Sequence, residues 1–239
     1  MIQTDRAEAL RQIAELLLLI GEREAAHAVF AELAPTDPLS AAKGEATRSL
    51  LDGHLGQALM LARRAAARYP NDLEASLLAA HCLAEMGRLA DARAQLVLTT
   101  TQHPGSIVAW LQLIEWTARA GDPQATLQVI QSALAQCDEA ALLWQALARW
   151  HVKQDAPQPA IEAYRQALLR DPGNRDLWLE SAALLLEVTT PRAAALWLEV
   201  AVQGPLAHDP GVHVACARAW TTNGDEAQAA AVLARLGAV

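Results

Sequence analysis

The sequence has little of what most fold classes need. Among its 239 residues are one Phe and two Tyr, and aromatics make up 4 % of the chain. Sheet cores draw on aromatic and β-branched side chains, so an all-β domain is disfavoured. Cysteine is scarce: Cys82, Cys137 and Cys216 are odd in number and widely spaced, which implies neither a disulfide framework nor a zinc motif. Surplus positive charge is missing too. With 27 Asp and Glu against 19 Lys and Arg, the net charge of −8 opposes binding to a phosphate backbone, and no nucleic-acid partner is expected. Long apolar runs are also lacking. The longest near the start, Leu16 to Ile20, falls far short of the roughly 20 residues a membrane span needs. Asp5, Arg6, Glu8 and Arg11 before it are unlike a signal peptide, so a cytoplasmic protein is expected. Only Lys43 and Lys153 are lysines; such Arg-weighted usage suggests a GC-rich bacterial source.

Catalytic patterns are wanting as well. There is no P-loop, dinucleotide fingerprint, nucleophile elbow or HExxH zinc helix. The seven histidines fall out of register with one another, and His81 and Cys82 are helix neighbours that point about 100° apart. The expectation is a chain that is not an enzyme, with no catalytic residues, cofactor or metal.

What is present is alanine, roughly a fifth of all residues, in a chain that is 53 % hydrophobic. That composition favours helices. The alanines are periodic. Trp110, Trp144 and Trp178 stand 34 residues apart, as do Pro123, Pro157 and Pro191. Extending the period places a turn at Gly21, Gly53, Gly87, Gly121, Asp155, Thr189 and Gly224, which gives seven repeats. Seven residues before the turns stand Ala14, Ala46, Ala80, Ile114, Ala148, Ala182 and Ala217. Five after them stand Ala26, Ala58, Ala92, Thr126, Ala160, Ala194 and Ala229. Small residues at fixed places on successive helices permit the close approach of an antiparallel hairpin. Larger residues fill the column nine after the turn, from Phe30 through Leu96, Ile130, Tyr164 and Leu198 to Leu233, with Ala62 the exception. Pro38, Pro70, Pro104 and Pro172 follow at seventeen and separate one repeat from the next. Pro123, Pro157 and Pro191 sit where a second helix begins, and there Pro costs no hydrogen bond.

These columns resemble a tetratricopeptide-repeat (TPR) array, most completely over Ala141 to Pro172, with Trp144, Ala148, Ala160, Tyr164 and Ala167. The resemblance implies an all-α, right-handed α-solenoid of about seven TPR helix hairpins. It would form a single array over 1–239, with repeats near 7–38, 39–70, 73–104, 107–138, 141–172, 175–206 and 210–239. Departures are Ala42 where Trp would stand, Asp138 in place of a terminal Pro, and His213 with Trp220 in the last repeat. Pentatricopeptide arrays have a similar period and bind RNA, but fit poorly with the net charge and with the Trp and Pro columns.

The resemblance also implies a ligand groove on the concave face, at positions thirteen, ten, six, three and two residues before each turn. Candidate groove residues are Leu18, Leu19, Leu50, His81, Glu115, Arg119, Arg149 and Lys153. They suggest an extended or helical peptide with apolar anchors toward the N-terminal half and acidic groups over Arg119, Arg149 and Lys153. The competing reading is an ordinary solvated ladder, with Arg149 paired to Glu115 or to other nearby acids. Carboxylate-clamp TPRs use Asn six residues before the turn. Here that column reads Glu15, Thr47, His81, Glu115, Arg149, Ala183 and Arg218, so capture of chaperone tails is not expected. Trp116 and Trp150 are either core wedges or ligand anchors. The apolar run of the first helix makes Leu16 and Leu19 candidates for self-association into a homo-oligomer, and both ends of the array look unfinished. The expected function is a non-catalytic scaffold or adaptor for a protein or peptide partner. The alternative is an N-terminal accessory or regulatory module of a larger enzyme, such as a transferase, or of a secretion assembly.

Overall fold

The computed structural model describes residues 2–19, 21–35 and 37–236. Among them are fourteen helices and no strand: α1 (Ile2–Leu19), α2 (Arg23–Leu33), α3 (Pro38–Leu51), α4 (Leu55–Arg68), α5 (Leu73–Glu85), α6 (Leu89–Gln102), α7 (Ile107–Arg119), α8 (Pro123–Gln136), α9 (Ala141–Lys153), α10 (Pro157–Arg170), α11 (Arg175–Val188), α12 (Pro191–Val202), α13 (Pro210–Thr222) and α14 (Glu226–Leu236). The chain divides into two compact units, Met1–Pro123 and Gln124–Val239. Within the first, α1 packs on α2, α3 on α4 and α5 on α6, and each pair packs on the next. Within the second, the same succession runs from α9 to α14.

The alanine columns explain this stacking. Every residue seven before and five after a turn is buried, including the larger Ile114 and Thr126. Where both columns are alanine, the absence of a longer side chain lets two backbones approach, and the bulky column nine after the turn fills the space beside them. Phe30, Leu96, Ile130, Tyr164 and Leu198 are all at most 3 % exposed; the exception is Leu233, left 44 % exposed on α14.

Turn chemistry follows the residue type. Gly21, Gly53, Gly87, Gly121 and Gly224 all take positive φ, which a side chain resists. Asp155 takes φ 55° in the same role, a conformation that Asp tolerates better than most residues. Thr189 is β-branched and does not follow. It sits at φ −133°, ψ −133°, donates its hydroxyl to the Leu185 carbonyl, and leaves Thr190 to cap α12 by accepting from the Ala193 N–H. Pro38 also departs from the expectation that it separates repeats. It is the first residue of α3, behind an Asp37 cap that accepts from the Ser40 N–H, because the first turn-to-turn interval is 32 residues where the others are 34 or 35. Pro70, Pro104 and Pro172 lie between helices.

The Trp ladder has a hydrogen-bonding cause. Each indole Nε1 donates to the backbone carbonyl six residues upstream: Trp110 to Pro104 at 2.8 Å, Trp144 to Asp138 at 2.7 Å and Trp178 to Pro172 at 2.8 Å. The ring thus covers the helix start while its one polar atom satisfies the connecting loop. Asp138, which replaces Pro, keeps the carbonyl in place, and Arg170 both donates to it at 2.5 Å and lies over the Trp144 ring. Trp178→Phe keeps an aromatic ring but loses the donor and the five-membered part of a buried indole, so urea denaturation should show a loss of about 1–3 kcal/mol. An unchanged midpoint would mean that the hydrogen bond is replaced by water at no cost.

Candidate partner-binding groove

In the first unit, the first helices of successive hairpins present a cleft. On α1 the residues Glu8, Arg11, Glu15 and Leu18 are spaced three, four and three apart, so they form one stripe along the helix. Facing them are Ser40, Lys43, Gly44 and Thr47 of α3. Together with Phe30 of α2, the Asp37 cap and Glu74 of α5, these residues line a cleft of about 480 Å³. Its apolar floor is Phe30, 1 % exposed, beside the half-buried Leu18.

The walls of the cleft carry charge of both signs. Lys43 Nζ lies 3.3 Å from Asp72 Oδ2 and also pairs with Glu74. Burial alone would lower the Lys43 pKa, but these two carboxylates outweigh it and hold the ammonium charged. Arg11 bridges Glu8 and Glu15, each at 2.6 Å. Hydrogen bonds from Arg11 and then Gln12 hold the Glu8 carboxyl below its ordinary range. Four acids, Glu8, Glu15, Asp37 and Glu74, face two bases, Arg11 and Lys43, so the cleft is acidic overall. Such a surface can exchange its internal ion pairs for those of a partner while an apolar side chain of that partner meets Leu18 and Phe30.

The second unit holds a different cluster. The Glu180 carboxylate on α11 accepts from Gln145 Nε2 at 3.1 Å, Arg149 Nε at 3.0 Å and the Tyr164 hydroxyl at 3.0 Å, and Arg149 Nη2 donates to it as well. Burial would raise the Glu180 pKa, but these donors and the Arg149 charge outweigh it and hold the carboxyl below its ordinary value. The same surroundings push the Tyr164 hydroxyl up, through burial first and then the neighbouring carboxylate, so it stays a donor.

The expected groove residues are distributed unevenly. Leu18 lines the cleft. Leu50 is half-buried on α3 and is not among the lining residues, and the side chain of Leu19 lies outside the described residues. His81 is exposed on α5, 3.9 Å from Glu85. Arg119 pairs with Glu115 of its own helix at 2.7 Å, while Arg149 is tied to Glu180 and Lys153 is exposed at the end of α9. Trp116 is 5 % exposed and Trp150 half-buried, its ring edge-on to His151 at 5.0 Å. Leu16 and Ile13 on α1 are 59 % and 47 % exposed, and any self-association through this helix would rest on them.

Sequence reasoning passed over Arg11 and Lys43, the two cations of the cleft. Both stand ten residues before a turn glycine, one of the offsets that defines the inner face, and the signal was therefore available. The Glu180 cluster had no such signal, because Glu180 stands nine before Thr189, between two of those offsets.

Comparison with known proteins agrees with this architecture. Tetratricopeptide-repeat family models match residues 49–116 and 141–184. A crystal structure of a thermophilic TPR protein from Thermus thermophilus superimposes with a TM-score of 0.55 at 22 % identity, over 75 % of this chain and 99 % of that one. A tetratricopeptide repeat protein from Parabacteroides merdae gives 0.56 at 13 % identity, over 97 % and 92 %. The Cut9–Hcn1 hetero-tetramer of the APC/C gives 0.54 at 17 % identity, over 93 % of this chain and 48 % of that one. At such identities the likeness is one of fold. No curated protein is significantly similar in sequence.

Proposed function

The chain is a tetratricopeptide-repeat protein, and from that premise we propose that it is a non-catalytic scaffold that holds an extended or helical segment of a partner protein against its first helices. The observation that carries this reading is the cleft of about 480 Å³ between α1 and α3, walled by charge and floored by Leu18 and Phe30. Its lining residues recur at fixed offsets from the turns: Glu8, Ser40 and Glu74 at thirteen, Arg11 and Lys43 at ten, Glu15 and Thr47 at six. A regular series of this kind suits a regular ligand, a strand or helix whose side chains also repeat. The acid excess favours a segment that brings Lys or Arg next to an apolar residue.

Peptides selected by the full chain from a random display library test this reading. They are expected to shift the backbone amide signals of Ser40 and Thr47 on titration. Thr47→Arg, which fills the cleft and adds a cation at a half-buried position, should weaken them at least tenfold. Selected peptides that leave those signals unmoved, or that bind Thr47→Arg as well as the parent chain, would place the partner elsewhere.

A further inference from the structure

The cations of the first unit fall into two groups. Those on or beside the other helices, from Arg6 to Arg119, are each ion-paired. Arg63, Arg64, Arg68 and Arg93 have no ion pair among the described residues, and all four lie on α4 and α6, the second helices of adjacent hairpins. Helix α4 contains no acidic residue, and the one acid on α6, Asp91, is already held by Arg88 at 2.6 Å. In a chain of net charge −8, Arg63, Arg64 and Arg68 gather three guanidinium groups without an ion pair on the exposed side of α4, and Arg68 also lies over the Tyr69 ring. Arg93 points away from the α4–α6 cleft, about 160–180° around α6 from Gln95 and Gln102. Arg63, Arg64 and Arg68 are exposed, and Arg93 is half-buried with its Nε sealed from solvent and unpartnered.

Beside Arg63 the surface is cleft and partly apolar. Arg63, Pro70, Ser76, Gln95, Leu98 and Gln102 line a cleft of about 500 Å³ between α4 and α6. Met60, Val97 and Leu98 stand 60 %, 53 % and 50 % exposed on these two helices. We propose that the α4–α6 face docks an acidic, amphipathic segment of a partner protein, whose carboxylates engage Arg63, Arg64 and Arg68 while an apolar side chain enters the cleft against Leu98. Guanidinium groups pair with carboxylates through two parallel hydrogen bonds, and Gln95 and Gln102 add neutral donors along the cleft. A flat lipid surface cannot follow a cleft between two helices. A nucleic acid that runs past the three exposed arginines meets the acid-rich remainder of the chain, whereas a short acidic segment ends where the cations do. This surface lies mainly on second helices, with the buried Ser76 of α5 at its base, and shares no lining residue with the first-helix cleft, so the two can be occupied or can fail independently.

The test pans a random peptide library on the full chain and on the triple variant Arg63→Glu, Arg64→Glu, Arg68→Glu, with Arg192→Glu, Arg218→Glu, Arg235→Glu as a charge-matched control in the second unit. Circular dichroism confirms that each remains folded. The expected result is a class of peptides rich in Asp and Glu around an apolar residue. That class should bind the parent and the control alike, weaken at least tenfold on the α4 triple variant, and weaken with added salt. Thr47→Arg should leave it unaffected. Absence of an acidic class, or equal loss on both triple variants, would overturn the proposal. So would retention of single-stranded DNA or phosphatidylglycerol vesicles by the α4 face when no acidic peptide binds.

Discussion

Gly44→Ala is expected to destabilise the protein by about 1 kcal/mol, opposite in sign to the usual effect of that change. Within a helix, alanine is favoured over glycine by about 1 kcal/mol, and Gly44 lies in the middle of α3 at an ordinary helical φ. A Cβ built there would lie against the edge of the Phe30 ring, far inside van der Waals contact. The ring cannot swing aside, because Phe30 is 1 % exposed and packs with Ala14, Ala26, Leu33 and Ala41. Overpacking of this kind costs about 1–3 kcal/mol, and the helix-propensity gain offsets only part of it. Urea denaturation of Gly44→Ala, Phe30→Ala and the double variant decides the matter. Phe30→Ala alone opens a cavity that the methyl group added by Gly44→Ala partly fills, so the double variant should be more stable than the summed single effects by 1 kcal/mol or more, by order of magnitude. A Gly44→Ala protein more stable than its parent would show that α3 can retreat from α2. Because Gly44 and Phe30 both line the first-helix cleft, the same variant should also weaken peptides bound there.

Gly44 also marks where the sequence stops being legible. The hairpins could be read because their determinants recur: alanine at two columns, Gly at the turn and Trp at the helix start each repeat often enough to expose the period. Irregular features obey the same physics without repeating. Thr189 occupies a turn position that its side chain cannot enter, and the chain answers by capping α12 from Thr190. Gly44 pairs with the single Phe of the chain, so its need for no side chain belongs to one contact and not to a column. For the candidate site, the offsets that define the inner face were sufficient to find Arg11 and Lys43. Which charges are satisfied depends on three-dimensional neighbours: Arg149 reaches Glu180, 31 residues on, whereas Arg119 closes on Glu115 one turn away. The three arginines of α4 became distinct only when the ion-pair partners of the other exposed cations in the first unit were known.

Removing Glu180 should have the other large effect, and it ties stability to pH. Glu180→Leu strips the acceptor from Tyr164 and Gln145, which are 3 % and 6 % exposed. Each donor left without a partner costs about 1–3 kcal/mol, so a loss of about 3 kcal/mol is expected in urea. Tyr164→Phe in that background removes one orphaned donor, and the double variant should lose less than the two single effects together. Because the Glu180 carboxyl is held below its ordinary value of 4.5 in the folded protein, its contribution is fully present above that value and is lost as the pH falls through the lowered one. The stability gap between the parent and Glu180→Leu should therefore stay constant from neutral pH down to about pH 5 and narrow only in more acidic solution. A gap as wide at pH 3 as at pH 7 would show that the carboxylate charge contributes nothing. The same residue decides what Arg149 can do. With Glu180 ionised, a ligand carboxylate at Arg149 must displace a partner already held at 3.0 Å. Glu180→Gln, which keeps the shape but gives up the charge, should therefore raise affinity for acidic peptides that contact α9. If it does not, Arg149 serves the joint between α9 and α11 and no ligand.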